Sequence, residues 1–461
     1  MTAKNNKYDL TQGPILQKLV ALSLPIMATS FMQMAYSLSD TFWMGILSRD
    51  YDASGAVAAV GTAALYIWLS MGLMSLGRMG AEIGVSQNMG RGDAESAKKY
   101  AQNALVISLI LGTLYGVVMV IARRPLIGFF NIDDPQVVLQ AQQYLAVSAI
   151  AMPFIFAHNV ITGCFNGFGN TKLPFYINSL GLGLNIAISP VLIFVFELGI
   201  AGAAIGTVIA TLVNFALKLW AIKRYSSRPF EVFQFRFKID KEKIIQICKW
   251  GVPVAVESMT FTFLFMVVSR LISDFGIEAI AAHRVGYQVE ALSFMVGGGF
   301  AMAFGSYVGQ NFGAKKWSRL FSGYRMSTVV MAVYGIVITF ILFVFARPLV
   351  SIFLNSAIEI DMGVDYLRII ALTQLLFCME GVAVGSFRGR GLTIKPTIVS
   401  AGSNVLRVIV TYALAATALG ITGVWIGIAV AMTVKSVWLL VWHWHCARKW
   451  PRIEAIDGNI A

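Results

Sequence analysis

The chain has 461 residues, 57% of them hydrophobic and only 13% charged, with a mean hydropathy of +0.72. Soluble domains carry about 25% charged residues, so a soluble globular fold is excluded, and so is a β-barrel, whose strands alternate over about ten residues where this chain has long continuous apolar runs. The net charge of +13 does not mark a nucleic-acid partner, because the basic residues cluster between those runs.

Residues 1–17 are polar and carry Lys4, Lys7 and Asp9, so no cleavable signal peptide is expected. Twelve membrane-spanning helices are then predicted, at residues 18–46, 54–84, 97–121, 136–163, 174–197, 201–224, 244–273, 277–307, 318–346, 358–384, 396–419 and 422–446. Each is long enough for a span of about 20 residues, and the longer ones allow tilt. The expected class is an all-α polytopic membrane protein.

The loops alternate in charge. Arg91, Lys98 and Lys99 follow span two; Lys218, Lys223, Arg224, Arg228, Arg236, Lys238, Lys241, Lys243 and Lys249 lie between spans six and seven. Lys315, Lys316, Arg319 and Arg325 follow span eight, and Arg388, Arg390 and Lys395 follow span ten. The intervening loops carry Asp50, Asp52, Asp133, Asp134, Glu197, Asp274, Glu278, Glu359 and Asp361. The positive-inside rule places both termini in the cytoplasm, where the basic residues meet anionic lipid head groups. Cys164, Cys248, Cys378 and Cys446 form no CxxC pair, so neither a metal site nor a disulfide framework is expected. His443 and His445 alternate with Trp442 and Trp444 at the end of span twelve and read as an interfacial anchor.

The chain repeats itself. Val85, Gln87, Asn88 and Gly90 of the first half return in the second as Val308, Gln310, Asn311 and Gly313. Gly163, Phe165, Gly167, Gly169 and Thr171 return, at almost the same offset, as Gly385, Phe387, Gly389, Gly391 and Thr393. Pro174 matches Pro396, and Leu198, Gly199 and Gly202 match Leu419, Gly420 and Gly423. A six-span unit used twice keeps its orientation, so two parallel six-helix bundles are expected, with a central cavity and alternating access. The bundles are placed at 1–217 and 244–461, joined by a basic cytoplasmic linker at 218–243. The glycines after the even-numbered spans suit tight turns; no strand precedes them and no Gly-Lys-Ser/Thr follows, so they are not nucleotide loops.

Asp40 is the one charged residue between Ser23 and Leu47. A carboxylate at mid-membrane costs roughly 2.5–3.5 kcal/mol on insertion scales, and intramembrane acids mark ion or proton pathways. Glu257, Glu290 and Glu380 also lie within spans, as does Arg284, six residues before Glu290. Structural ion pairing and a transport role are both open for these.

These residues resemble the multidrug and toxic compound extrusion (MATE) family over almost the whole chain, from Leu22-Ser23-Leu24-Pro25 to the last span. The carriers are Pro25, Asp40-Thr41, the Val85–Gly90 motif, the paired glycine motifs and Ala281-Ala282-His283-Arg284. Within the family the chain is similar to the bacterial and archaeal branch that includes DNA-damage-inducible members. The resemblance implies export of amphiphilic organic cations in exchange for protons or sodium ions, by a monomer in a prokaryotic inner membrane, with no cofactor, no resident metal and no enzymatic activity. It also implies the coupling residues: Asp40, with Tyr36 one turn earlier, Tyr144 in span four, Asn185 in span five and Thr207 in span six. The family pattern Asn-x-x-x-Asp-Pro reads Asn185-Ile186-Ala187-Ile188-Ser189-Pro190 here. Its second acid is therefore Ser189, which weakens a sodium site more than a proton site. A lone acid suffices for a proton, since burial raises a carboxyl pKa by up to about 3–5 units, whereas sodium needs several oxygens. Gln33, Glu257, Arg284 and Glu290 are the expected substrate-cavity residues. A lipid-linked substrate flippase of the same superfamily is the alternative transporter; a membrane-embedded enzyme has no metal cluster, nucleophile motif or phosphate loop to support it.

Overall fold

The computed structural model describes residues 8–50, 55–132, 134–224, 228–230, 233 and 239–450, apart from the side chains of residues 36–38, 40, 41, 45, 48–50, 56 and 57. Among the described residues, fourteen α-helices run in order: α1 (Ile15–Asp50), α2 (Ala56–Gly90), α3 (Ala94–Ile121), α4 (Arg123–Gly128), α5 (Pro135–Phe168), α6 (Lys172–Pro190), α7 (Gly199–Arg224), α8 (Lys241–Ser273), α9 (Ile277–Gly313), α10 (Trp317–Val344), α11 (Ala346–Ser351), α12 (Ala357–Gly389), α13 (Ile394–Ala415) and α14 (Gly420–Ala447). Among the described residues, twelve of these elements are long and apolar enough to cross a membrane. The protein is an all-α, multi-pass membrane protein. The two short helices, α4 and α11, follow α3 and α10 at equivalent places in the repeat.

Several helices outrun their predicted ends. α2 continues past residue 84 to Gly90, and α9 past residue 307 to Gly313. Hydropathy reads Gln87, Asn88, Gln310 and Asn311 as a return to water, but all four are buried. Asn88 Nδ2 donates to the Gly84 carbonyl at 2.7 Å, and Gln310 Oε1 accepts from the Leu10 amide at 2.9 Å. Buried polar groups so bonded do not end a helix. After Pro190, which supplies no N–H, α6 widens into one π-type turn, Val191–Val195.

Chain direction is reset where the backbone demands glycine. Gly169 ends α5 at φ 100° and Gly391 follows α12 at φ 78°; only glycine takes such angles at no steric cost. Asp93 opens α3, its carboxylate accepting from the Ser96 amide at 2.9 Å. The backbone and hydroxyl of Ser96 together hold the Asp93 carboxyl below the usual carboxylate range.

The described chain forms two compact units. One consists of Ala28–Ala255 with the residues up to Asp9; the other consists of Leu10–Met27 and the chain from Val256 onward. Both changes of unit fall inside a helix, two residues after an internal proline: Pro25 in α1 and Pro253 in α8.

The repeat is legible in the packing of each unit. In the first, α2 and α5 approach so closely that a Cβ at Gly163 would sit 2.7 Å from the Arg78 carbonyl oxygen, and one at Gly167 would sit 2.7 Å from that of Glu82. In the second, their counterparts Gly385 and Gly389 of α12 press likewise on the Ala301 and Gly305 carbonyl oxygens of α9. Ala301 and Gly305 are themselves the counterparts of Arg78 and Glu82, so the repeated glycines serve helix crossing as well as turns. Membrane helices associate through such close backbone approach because lipid supplies no hydrophobic drive between them.

Candidate functional site

In the first unit, Asn185 and Ser189 lie one turn apart on α6 and share a face. Both are fully buried. Asn185 Nδ2 donates to Thr207 Oγ1 on α7 at 3.1 Å. Ser189 is buried because α7 presents Gly206 there: a Cβ on Gly206 would stand 2.6 Å from Ser189 Oγ. Two oxygens, Asn185 Oδ1 and Ser189 Oγ, are buried without a hydrogen-bond partner among the described residues. An unsatisfied buried acceptor costs about 1–3 kcal/mol, so this pair of oxygens suits a donor or a cation.

Tyr144 is buried on α5 in an apolar cluster that also holds Met44 and Leu47 of α1, one and two turns after Asp40. The side chains of Asp40 and Tyr36 lie outside the described residues. The backbone of both is helical, within α1. Gln33, two turns before Asp40, is exposed.

In the second unit Glu257, Glu290 and Glu380 are each engaged. Glu290 is 1% exposed; it accepts from Tyr366 Oη at 2.6 Å and from Gln374 Nε2 at 3.3 Å, and Ser293 Oγ steadies Gln374 at 2.7 Å. Aromatic rings line this group, with His283 stacked on Trp425 at 5.5 Å and Tyr366 edge-on to both. Tyr366 is the repeat counterpart of Tyr144, and Arg407 is that of Asn185. Arg407 lies 5.5 Å over the Phe261 ring. Glu257 pairs with Arg388 at 2.9 Å, and Glu380 with Lys435 at 3.0 Å, Ser436 Oγ donating to Glu380 at 2.6 Å. Arg284 is exposed and forms no ion pair with Glu290 among the described residues.

One placement differs from the sequence reading. Lys218, counted there with the basic residues between spans six and seven and at the start of the linker, lies inside α7 and is fully buried. Its Nζ donates to Asn178 Oδ1 at 2.8 Å and to Thr162 Oγ1 at 2.9 Å, and lies 3.1 Å from His158 Nδ1. Those acceptors on α5 and α6 hold an ammonium that hydropathy alone assigns to water. The signal was present: Leu217, Leu219, Trp220, Ala221 and Ile222 continue the apolar run on both sides of it. Arg78 and Arg407 were missed in the same way; each is the one basic residue within its predicted span.

Two units built from one repeated set of spanning helices, each with buried polar groups held between helices, have the architecture of a membrane transporter. The chain belongs to the MatE family, whose model matches residues 25–191 and 253–413. It is 26% identical over 455 residues to the probable multidrug resistance protein NorM of Thermotoga maritima, covering 95% of this chain and 94% of that one. It is 24% identical over 404 residues to the multidrug export protein MepA of Staphylococcus aureus, covering 84% and 85%. Among solved structures, it matches MATE in the bent conformation with a TM-score of 0.90 at 22% identity, over 99% of this chain and all of that one.

Proposed function

We propose that this transporter exports amphiphilic organic cations in exchange for protons, with Asp40 as the coupling acid. It works as a monomer in a prokaryotic inner membrane, with both termini in the cytoplasm. The names of the relatives support the drug-export half of this reading. The coupling half is supported by one observation: among the described residues, Asn185 Oδ1 and Ser189 Oγ are buried acceptors without a donor, in the unit that holds Asp40.

Deprotonated Asp40 supplies the single negative charge that draws a lipophilic cation. A proton then neutralises it and converts the carboxylate from an acceptor into a donor, for which Asn185, Thr207, Ser189, Tyr144 and Tyr36 supply hydrogen-bond partners. The charge that held the cation is gone, and affinity falls. One proton crossing 100 mV contributes about 2.3 kcal/mol, and each unit of ΔpH adds about 1.4. Gln33 and Arg284, both exposed, are the substrate-path residues free to meet a ligand directly. Glu257 and Glu290 would first have to release Arg388, or Tyr366 and Gln374.

A sodium-coupled reading is favoured by the same orphaned oxygens, because a hard cation takes several oxygen ligands. The test is transport of ethidium by the purified protein in proteoliposomes. Export under an imposed pH gradient without sodium supports the proton reading. Silence under ΔpH, followed by export on adding external sodium, overturns it.

A further inference from the structure

Lys218 raises a separate question. An ammonium in a protein interior is costly unless it is paired, and among the described residues it has no carboxylate partner. The repeat shows the paired solution. Glu380, the repeat counterpart of His158, neutralises Lys435, a lysine of the sixth spanning helix of its own unit, as Lys218 is of the first. The second unit thus carries a closed ion pair. The first carries a lysine and a histidine, two bases that can trade one proton.

The geometry accommodates both protonation states. As an ammonium, Nζ has three N–H groups for three acceptors: Thr162 Oγ1, Asn178 Oδ1 and His158 Nδ1. As an amine, Nζ keeps two N–H groups for Thr162 and Asn178 and turns its lone pair to a proton on His158 Nδ1. Either way every position at Nζ is filled, and the change requires only the other imidazole tautomer. Lys218 is fully buried and His158 only partly so, which makes the histidine the more accessible of the two to an incoming proton. A proton that arrives at His158 Nε2 makes an imidazolium, which passes its Nδ1 proton to Lys218 Nζ. The imidazole ends neutral with hydrogen on Nε2, and the site has gained one positive charge.

The charged groups facing the pair are few. α2, packed on α5, brings Arg78 and Glu82, themselves 4.0 Å apart. α5 adds the thiol of Cys164, α6 has Lys172 only at its start, and α7 adds Lys223 and Arg224 at its end. None is an acid in contact with Lys218 among the described residues.

We propose that Lys218 and His158 form a second proton-binding site of the first unit, distinct from the Asp40 region, whose loading and unloading is required for turnover. The requirement for turnover rests on the proton-coupled reading above; the binding of the proton does not.

The test follows Lys218 Nζ by 15N NMR in full-length, lysine-labelled protein in nanodiscs, with Lys218→Arg, which removes the same signal, as the assignment. Across the pH range of transport the wild-type signal should pass between its ammonium and amine positions. In His158→Glu, which copies the ion pair of the second unit, it should stay at the ammonium position throughout. A wild-type signal that stays at either position across that range overturns the site. In proteoliposomes, both His158→Glu and Lys218→Arg should lower ethidium export by about tenfold or more. Wild-type export by both variants overturns the role in turnover. The titration needs no transport, so a wild-type protein silent under ΔpH would refute proton coupling and leave the site standing on the NMR result.

Discussion

Gly84 on α2 gives up its side chain to the ring of Tyr100 on α3: a Cβ at residue 84 would lie 2.5 Å from Tyr100 Cγ. In the second unit the pair is inverted. Tyr307, the repeat counterpart of Gly84, lays its ring on Gly323, the counterpart of Tyr100. One gap and one ring are kept in each unit, but the partners have changed helices. Overpacking such a contact costs typically about 1–3 kcal/mol. Gly84→Ala and Gly323→Ala should therefore each lower the apparent melting temperature in detergent, and Tyr100→Ala should partly restore the first. Unchanged melting for both alanine variants would mean the rings move aside freely.

Asp40→Asn should abolish coupled efflux while leaving folding and insertion intact, as judged by a monodisperse size-exclusion peak. Ethidium export against a gradient at the wild-type rate would remove Asp40 from the coupling role. Ser189→Asp, which restores the family's second acid, should add sodium dependence to export.

The ion pair between Lys435 and Glu380 sets a buried carboxylate against a half-buried ammonium in the second unit. Removing one partner of a buried pair costs about 3–5 kcal/mol, and replacing both is often neutral. Lys435→Met should sharply reduce folded yield, and Lys435→Met with Glu380→Gln should recover most of it. Equal yields from the single and double variants would show that the charge of Glu380 is solvated.

Asp93 gives a pH-dependent effect of known sign. Its carboxyl is held below the usual range in the folded protein, so its contribution is present above the unfolded value of about 3.9 and is lost as pH falls through the folded value. Asp93→Ala should cost about 1 kcal/mol near neutrality, the usual worth of a helix N-cap. Thermal melts of the two proteins should converge in acid. A gap that persists there would assign the effect to something other than the carboxylate.

The proposed orientation is checked by labelling. In a cysteine-free background, Cys at Arg91 should be shielded from impermeant thiol reagents in intact cells, and Cys at Glu359 should react. Labelling at residue 91 from outside would reverse the topology.

Sequence alone determined the architecture, because crossing a bilayer leaves the backbone little choice: apolar runs of span length must become helices. Count, order and repeat all follow from the apolar runs and from motifs that recur at matching places in the two halves. Asn185, Ser189 and Thr207 were legible only through resemblance, since polar residues of that size are common in membrane helices. The tertiary structure decided what hydropathy cannot represent. It buried Gln87, Asn88, Gln310 and Asn311 beyond the predicted helix ends, drew Lys218 out of the expected linker into α7, and engaged Glu257, Glu290 and Glu380 with partners on other helices. The physical reason is common to all of them. Whether a polar group belongs to water or to the interior depends on whether another helix brings it a partner, and that partner is far away in sequence.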